Sequence, residues 1–102
     1  LLVAHNAAFD SRMINIELEA NNLKIIPLEK WLCTIKLFKM VYPNLPCKLS
    51  KCCESLKIPV QEGLLHGALY DAILCAKVFC KLLINDNVSK MVLAPNVHKR
   101  FS

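Results

Sequence analysis

The sequence contains little glycine, with only 2 among its 102 residues, and has no glycine-rich loop of the kind that holds phosphates. It has no apolar run of about 18 residues, so no segment predicts a membrane-spanning helix. It also lacks an initiator methionine, and no basic region precedes an apolar stretch. These absences argue against a membrane protein and a secretory leader, and the missing methionine predicts that the chain is a fragment.

The six cysteines raise the alternative of a small, disulfide-linked secreted protein. Such proteins replace a core with disulfides, whereas 55% of this chain is hydrophobic. A reduced cysteine packs as a small apolar residue, so we expect Cys33, Cys75 and Cys80 to lie in the core. The composition therefore favours a reducing, cytoplasmic compartment.

The net charge of +5 is unevenly distributed along the chain. Residues 1–35 carry three basic and four acidic side chains, whereas residues 36–102 carry ten basic and four acidic ones. The basic part fits a nucleic-acid phosphate backbone as a partner. It equally fits an ordinary solvated surface.

Apolar runs and helix breakers predict the order strand, helix, strand and then several helices. Two short strands do not form a stable sheet alone, since about three are usually needed. We therefore predict an α/β fold that is the rear part of a larger domain, ending near residue 84, with a C-terminal tail at 85–102. The expected strands are 1–4 and 31–34, and the expected helices are about 7–20, 36–41, 49–56 and 68–83.

Two of these helices have apolar residues at spacings of three and four, which predicts one buried face on each. Asn6 is the expected N-cap of the first of them, and Asn21 and Asn22 are expected to end it. The predicted faces are Phe9, Met13, Ile16, Ala20 and Leu23 in the first helix, and Ala68, Ala72, Cys75, Ala76, Phe79, Leu82 and Leu83 in the longest one.

Two segments combine a histidine with an aspartate where a helix begins: HNAAFD at 5–10 and HGALYDA at 66–72. A carboxylate on such a rigid element suits Mg²⁺, which needs oxygen ligands and room for water and substrate phosphate. Histidine can take a proton near neutral pH. These are the ingredients of metal-assisted phosphodiester hydrolysis. The alternative is that each aspartate only caps its helix and each histidine is a surface residue.

The two segments resemble the second and third motifs of the DEDDh (DnaQ-like) 3′–5′ exonucleases. The segment 31–58 is similar to the part of that family that joins the two motifs, and the resemblance covers about residues 1–84. HGALYDA is most similar to proofreading ε subunits of bacterial DNA polymerase III and to PolC-type exonuclease domains. The resemblance implies a ribonuclease H-like fold.

The resemblance also implies roles for the matching positions. Asp10 and Asp71 would be ligands of two Mg²⁺ or Mn²⁺ ions, and His66 would be the general base that deprotonates the attacking water. Asn6 and Phe9 would help to shape the groove for the terminal nucleotide, although the apolar pattern favours a core position for Phe9.

One departure from the family is large. The family's first motif, Asp-x-Glu, supplies two more carboxylates, and no Asp-x-Glu occurs in this sequence. Glu17 and Glu19 have the right spacing but follow the second motif within a helix, so they do not replace it. We expect that this chain alone is inactive and poorly stable.

The cysteines suggest a rival zinc site. Cys47, Cys52 and Cys53, with His66 or His98, are candidate ligands, but no Cys-x-x-Cys pair is present. The pattern is therefore weak evidence for zinc.

The sequence thus predicts part of a Mg²⁺-dependent exonuclease that releases nucleoside 5′-monophosphates from nucleic-acid 3′ ends. DNA is favoured over RNA as the substrate, with proofreading beside a DNA polymerase subunit as the expected role. The alternative is a non-catalytic nucleic-acid-binding or interaction fragment of a degenerate exonuclease.

Overall fold

The computed structural model describes residues 1–93, which form a short sheet and a larger helical part. None of the described helices is both long enough and apolar enough to cross a bilayer. The elements are β1 (Leu2–Ala4), α1 (Ala7–Ala20), β2 (Trp31–Cys33), α2 (Thr34–Val41), α3 (Leu49–Ser55), α4 (Ala68–Leu83) and α5 (Asp86–Leu93), with single 3-10 turns at Leu28–Lys30 and Glu62–Leu64.

The two strands pair in parallel, with Val3 opposite Leu32 and Ala4 opposite Cys33. Helix α1 forms the crossover between them, as parallel strands require. Pro27 stands just before the second strand unit, where a fixed φ and a missing N–H prevent a helix from continuing. These observations confirm the predicted helix-rich α/β fold with two short strands, which is compatible with part of a ribonuclease H-like domain.

The main core lies among α2, α3, α4 and α5, and a smaller one lies under β2. Full burial of each large apolar side chain contributes roughly 1.5–3 kcal/mol, so the helical core supplies most of the stability. The buried residues of the main core are Leu37, Phe38, Cys52, Cys53, Ile58, Leu74, Val78, Leu82 and Val88, and those of the smaller core are Ala7, Trp31 and Cys33.

The predicted buried face of α1 is wrong. Phe9, Met13 and Ile16 are about half exposed, and the buried residues of this helix are Ala7 and Ser11. Ala7 and Ser11 are one turn apart and pack toward the small sheet, whereas Phe9 lies about 200° around the helix from Ala7. The core position expected for Phe9 is therefore wrong as well.

The predicted buried face of α4 is displaced around the helix. Cys75 and Leu82 are buried as expected, but the other buried residues of this helix are Leu74 and Val78. The alanines of the predicted stripe are exposed. Cys80 is also exposed, so its expected core position is wrong, whereas the core positions expected for Cys33 and Cys75 are confirmed.

Helix α5 was not predicted. The side chain of Asn85 accepts hydrogen bonds from the backbone N–H groups of Asn87 and Val88, at 3.0 and 3.2 Å, and so caps the new helix. Val88 is fully buried in the main core. Of the tail expected at 85–102, residues 94–102 lie outside the described residues, as does the candidate zinc ligand His98.

Candidate active site

The carboxyl ends of β1 and β2 bring two polar residues together at one edge of the sheet. His5 directly follows β1, and Thr34 directly follows β2 as the first residue of α2. Since parallel strands end at the same edge, the two side chains meet, with His5 Nδ1 and Thr34 Oγ1 2.7 Å apart. Helices α1 and α2 also begin at this edge of the sheet.

The His5 ring is held on both sides. Its Nε2 lies 2.7 Å from the carbonyl oxygen of Cys47, which can only accept, so Nε2 carries the proton. In the neutral ring Nδ1 then accepts from the hydroxyl of Thr34. Burial lowers the pKa of His5 below its ordinary value, and the hydrogen bond to Cys47 opposes this only in part. His5 is therefore a neutral structural link between β1, β2 and the loop before α3.

Helix α4 joins the same edge through Cys75. The Cys75 sulfur lies 3.9 Å from the Thr34 hydroxyl, and Thr34 Oγ1 lies 3.4 Å from the carbonyl oxygen of Ala4. Burial is the main reason that the pKa of the Cys75 thiol is raised, and the negative charge of Asp10 adds to this effect. The charge of Asp10 in α1 thus acts on the Cys75 thiol of α4.

Asp71 lies one turn before Cys75 on α4. Residues four apart on a helix share a face, with about 5–6 Å between their Cβ atoms. Asp71 is therefore on the face of α4 that carries Cys75. Both predicted carboxylates, Asp10 and Asp71, are half-buried.

The backbone before α4 is organised around Asp71. Its Oδ1 accepts a hydrogen bond from the backbone N–H of His66 at 3.1 Å, and its own N–H donates to the carbonyl of Gly67 at 2.9 Å. A carboxylate in the first turn is also favoured by the helix dipole. The predicted base and the predicted ligand are thus linked directly, but through the backbone of His66 and not through its imidazole.

The His66 imidazole is exposed, and it makes no hydrogen bond with another residue of the described range 1–93. His66 has a φ of 71°, in the left-handed region that costs a non-glycine residue roughly 1–2 kcal/mol. Asn6, in the other motif, has a φ of 73°. Asn22 and Lys57, which lie outside both motifs, also have a positive φ, so this conformation alone does not mark the site.

Two residues that the sequence analysis did not single out, Tyr70 and Thr34, make hydrogen bonds that position the two motif segments. Tyr70 receives a hydrogen bond from the backbone N–H of Gln61 at 2.8 Å and so fixes the loop that leads to His66. Thr34 connects three elements by a single hydroxyl. The position of Thr34 at a strand end is a usable signal, but the partner of Tyr70 is fixed only by the folded loop.

The remaining candidate residues lie at the exposed side of this region. Asn6 occupies the predicted N-cap position of α1, but its side chain makes no capping hydrogen bond and is exposed. The exposed Phe9 ring has the Arg12 guanidinium 5.8 Å from its centre. Asn6, Phe9 and Arg12 thus belong to a surface next to Asp10.

The described part of the chain contains no group of three or more histidine, cysteine or acidic side chains placed to hold one metal ion. Cys52 and Cys53 are buried in the main core instead of facing a shared ion. Burial raises the pKa of Cys52 to about 12, with smaller contributions from Cys47 and Cys53, so this thiol stays protonated. Residues 1–93 therefore do not assemble the rival zinc site.

A family model described as exonuclease matches residues 1–79, which include both motifs. The chain belongs to the exonuclease family. The similarity to DnaQ-like exonucleases predicted from the two motifs is thereby confirmed. No solved structure matches the chain significantly.

Curated relatives of this exonuclease chain include DNA polymerase III epsilon subunits and ribonucleases T. It is 32% identical over 85 residues to the DNA polymerase III subunit epsilon of Rickettsia conorii, a match over 80% of the chain and 37% of the relative. It is 31% identical to the subunit epsilon of Rickettsia typhi, over 93% of the chain and 43% of the relative. It is 33% identical to the ribonuclease T of Haemophilus influenzae, over 81% of the chain and 36% of the relative. The exonuclease chain thus spans about two fifths of the length of these relatives.

Proposed function

We propose that this chain is the part of a DEDDh exonuclease that carries the second and third motifs. The intact enzyme would hydrolyse phosphodiester bonds at nucleic-acid 3′ ends and release nucleoside 5′-monophosphates. The observation that carries the proposal is the position of Asp71 one turn before Cys75, the thiol whose pKa the charge of Asp10 helps to raise. The support is this placement together with the exonuclease family match.

The two aspartate side chains are of the chemical type that binds a hard divalent cation. Asp10 and Asp71 offer carboxylate oxygens on rigid helices, and oxygen is the ligand atom that Mg²⁺ and Mn²⁺ prefer. Asp71 uses Oδ1 for the backbone of His66, which leaves its second oxygen for a metal. Two carboxylates supply only part of the coordination shell of the proposed pair of ions. Bound metal would stabilise charge on the phosphate and the leaving oxygen.

His66 is proposed to take the proton from the attacking water. Its imidazole is exposed and not engaged with another described residue, so a nitrogen is available to accept a proton. The Asp71 carboxylate fixes its backbone, and the left-handed φ sets the direction in which its side chain leaves the chain. A general base contributes roughly a 10²–10⁴-fold rate increase, and this is the expected loss when His66 is removed.

Asn6 and Phe9 are proposed to contact the terminal nucleotide. The half-exposed ring of Phe9 offers a stacking surface for a base, since every base has an aromatic face. The adjacent Arg12 guanidinium adds a positive charge for a phosphate. The exposed amide of Asn6 lies at the start of the same helix and can hydrogen-bond to the nucleotide.

We propose DNA over RNA as the substrate, with removal of mispaired 3′ ends beside a polymerase subunit. The support is the name DNA polymerase III subunit epsilon of the Rickettsia relatives; the name ribonuclease T of another relative makes RNA the competing substrate. A cytoplasmic location belongs to the same proposal.

The test is a nuclease assay on the protein translated from the whole reading frame that contains these 102 residues. Mg²⁺-dependent release of mononucleotides from a 3′-labelled strand is expected, and His66→Ala and Asp71→Ala should abolish it. Asp86→Ala is the matched control, because Asp86 also begins a helix but lies outside both motifs. Cleavage by both motif variants at the parent rate would refute the assigned roles.

The same assay decides the second candidate, a non-catalytic fragment that binds nucleic acid. The absence of a three-ligand metal group in residues 1–93 favours this alternative for the chain alone. We expect the 102-residue chain to be inactive by itself. Nucleic-acid binding without cleavage by the whole-frame protein would establish the non-catalytic alternative.

A further inference from the structure

A second surface lies on the side of α4 that faces away from the candidate active site. It is a groove of about 520 Å³ between the outer face of α4 and the turn that follows α3. Ile58 is buried at its base, whereas Ile73 and Ile84 are 43% and 75% exposed along its α4 side. We call this surface the α4 groove. Large exposed apolar side chains gathered in one concave surface are typical of an interaction site.

The charges around the α4 groove have one sign. Among residues 1–93, Lys57, Lys77 and Lys81 line it, and no acidic residue does. The ion pair that the described residues do form, Lys51 with Glu54, lies elsewhere on α3. A lysine rim around an apolar floor is complementary to a ligand that has both apolar and acidic side chains.

Two other occupants fit the groove less well. Residues 94–102 of this chain contain Lys99 and Arg100 and no acidic residue, so their charge has the same sign as the rim. Single-stranded nucleic acid binds through aromatic stacking and a continuous basic track, but the described residues that line the groove include no aromatic residue and no arginine. The floor of isoleucines is suited to aliphatic side chains.

We propose that the α4 groove docks a short amphipathic helix of a partner protein, with aliphatic side chains on the isoleucine floor and acidic side chains against the three lysines. A helix lying in a groove is a common mode of peptide recognition, with anchors at positions i, i+3, i+4 and i+7. The volume of the groove falls within the range of roughly 300–1,000 Å³ that is usual for ligand clefts. This proposal does not depend on the proposed nuclease activity.

Cys80 provides a reporter within the α4 groove. Of the six cysteines it is the exposed one, and it lines the groove beside Lys81. Its alkylation by a small maleimide, followed by mass spectrometry, therefore measures whether the groove is covered. The probe is a peptide of about 12 residues, three helical turns, with leucines at the anchor positions and glutamates elsewhere.

The acidic peptide is expected to slow alkylation of Cys80 at least about fivefold at saturation. The double variant Lys57→Glu/Lys81→Glu should weaken its binding about tenfold, measured by fluorescence anisotropy, as should raised salt. The matched control is Lys39→Glu/Lys90→Glu, which changes the net charge equally outside the groove and should bind as the parent does. Ile84→Ser tests the apolar contact, and circular dichroism checks that each variant stays folded.

Three results would overturn the proposal. The first is unchanged Cys80 alkylation with the acidic peptide, or equal protection by a peptide with lysines in place of glutamates. The second is protection by a single-stranded oligonucleotide that is lost in the Lys57→Glu/Lys81→Glu variant. The third is protection that rises with protein concentration alone, which would identify a second copy of the chain as the occupant.

Discussion

Thr34→Val is the most informative single substitution for the β1 edge. Valine has nearly the shape of threonine, so the packing of this fully buried position is kept and only the hydroxyl is lost. The His5 Nδ1 atom then loses its partner at 2.7 Å, and the contact with Cys75 at 3.9 Å is lost too. Removing a net hydrogen bond costs about 0.5–1.5 kcal/mol, and leaving a buried acceptor unsatisfied costs about 1–3 kcal/mol.

We therefore expect Thr34→Val to lower the free energy of unfolding by about 1–3 kcal/mol. With a urea m-value of about 1–3 kcal/mol/M, the unfolding midpoint should fall by roughly 1 M at an unchanged slope. The control is Thr34→Ser, which keeps the hydroxyl and loses one methyl group, at a cost of about 0.8 kcal/mol. If the valine variant is as stable as the parent, or if serine costs more than valine, the hydrogen-bonded network does not stabilise this edge.

Three further results are expected. Because burial lowers the pKa of His5, the unfolded chain binds more protons than the folded chain just below pH 6.5. The free energy of unfolding should therefore be highest above pH 6.5 and should fall as the pH drops toward the pKa of His5 in the folded chain. Urea titrations should show that His5→Gln lacks this slope, and an equal slope in that variant would contradict the assignment. His66→Gly should raise the free energy of unfolding by up to about 1 kcal/mol, because glycine adopts the left-handed φ without strain. The same substitution should remove the activity of the whole-frame protein. If the variant is less stable than the parent, the backbone at His66 is not strained. Asn85→Ala should cost about 1 kcal/mol in thermal unfolding by removing the cap of α5, and no change would show that the cap is unimportant.

The order of elements was predictable because it depends on local signals. The apolar run before His5, the proline at position 27 and the long helical pattern from Ala68 each specify structure within a few residues. Asn85 followed by Asp86 is also a typical helix start, but α5 has only eight residues, which is too short for a helical apolar pattern to be distinctive.

The buried faces were less predictable because burial depends on what a helix packs against. The pattern in α1 favoured Phe9 as a core residue, yet the small sheet is contacted through Ala7 and Ser11. In α4 the core side is shifted toward Leu74 and Val78 by contacts with α2, α3 and α5. Neither choice is encoded in the spacing of apolar residues alone.

Only part of the candidate site could be predicted from the sequence. Asp10, His66 and Asp71 stood out because their residue types and positions fit a known chemistry. The role of His5 was not visible, since its two partners, Thr34 and Cys47, are 29 and 42 residues away. Long-range hydrogen bonds of this kind follow from the fold and cannot be inferred from local patterns.

The central claim is that the two motifs contribute to one metal site, and Mn²⁺ titration of the whole-frame protein followed by amide NMR tests it most directly. Paramagnetic broadening is expected to appear together in residues 5–11 and 66–72. It should be lost in both segments in Asp10→Asn and in Asp71→Asn, but persist in the control Asp86→Asn. Broadening of one segment without the other, or broadening that survives both motif substitutions, would contradict a shared site.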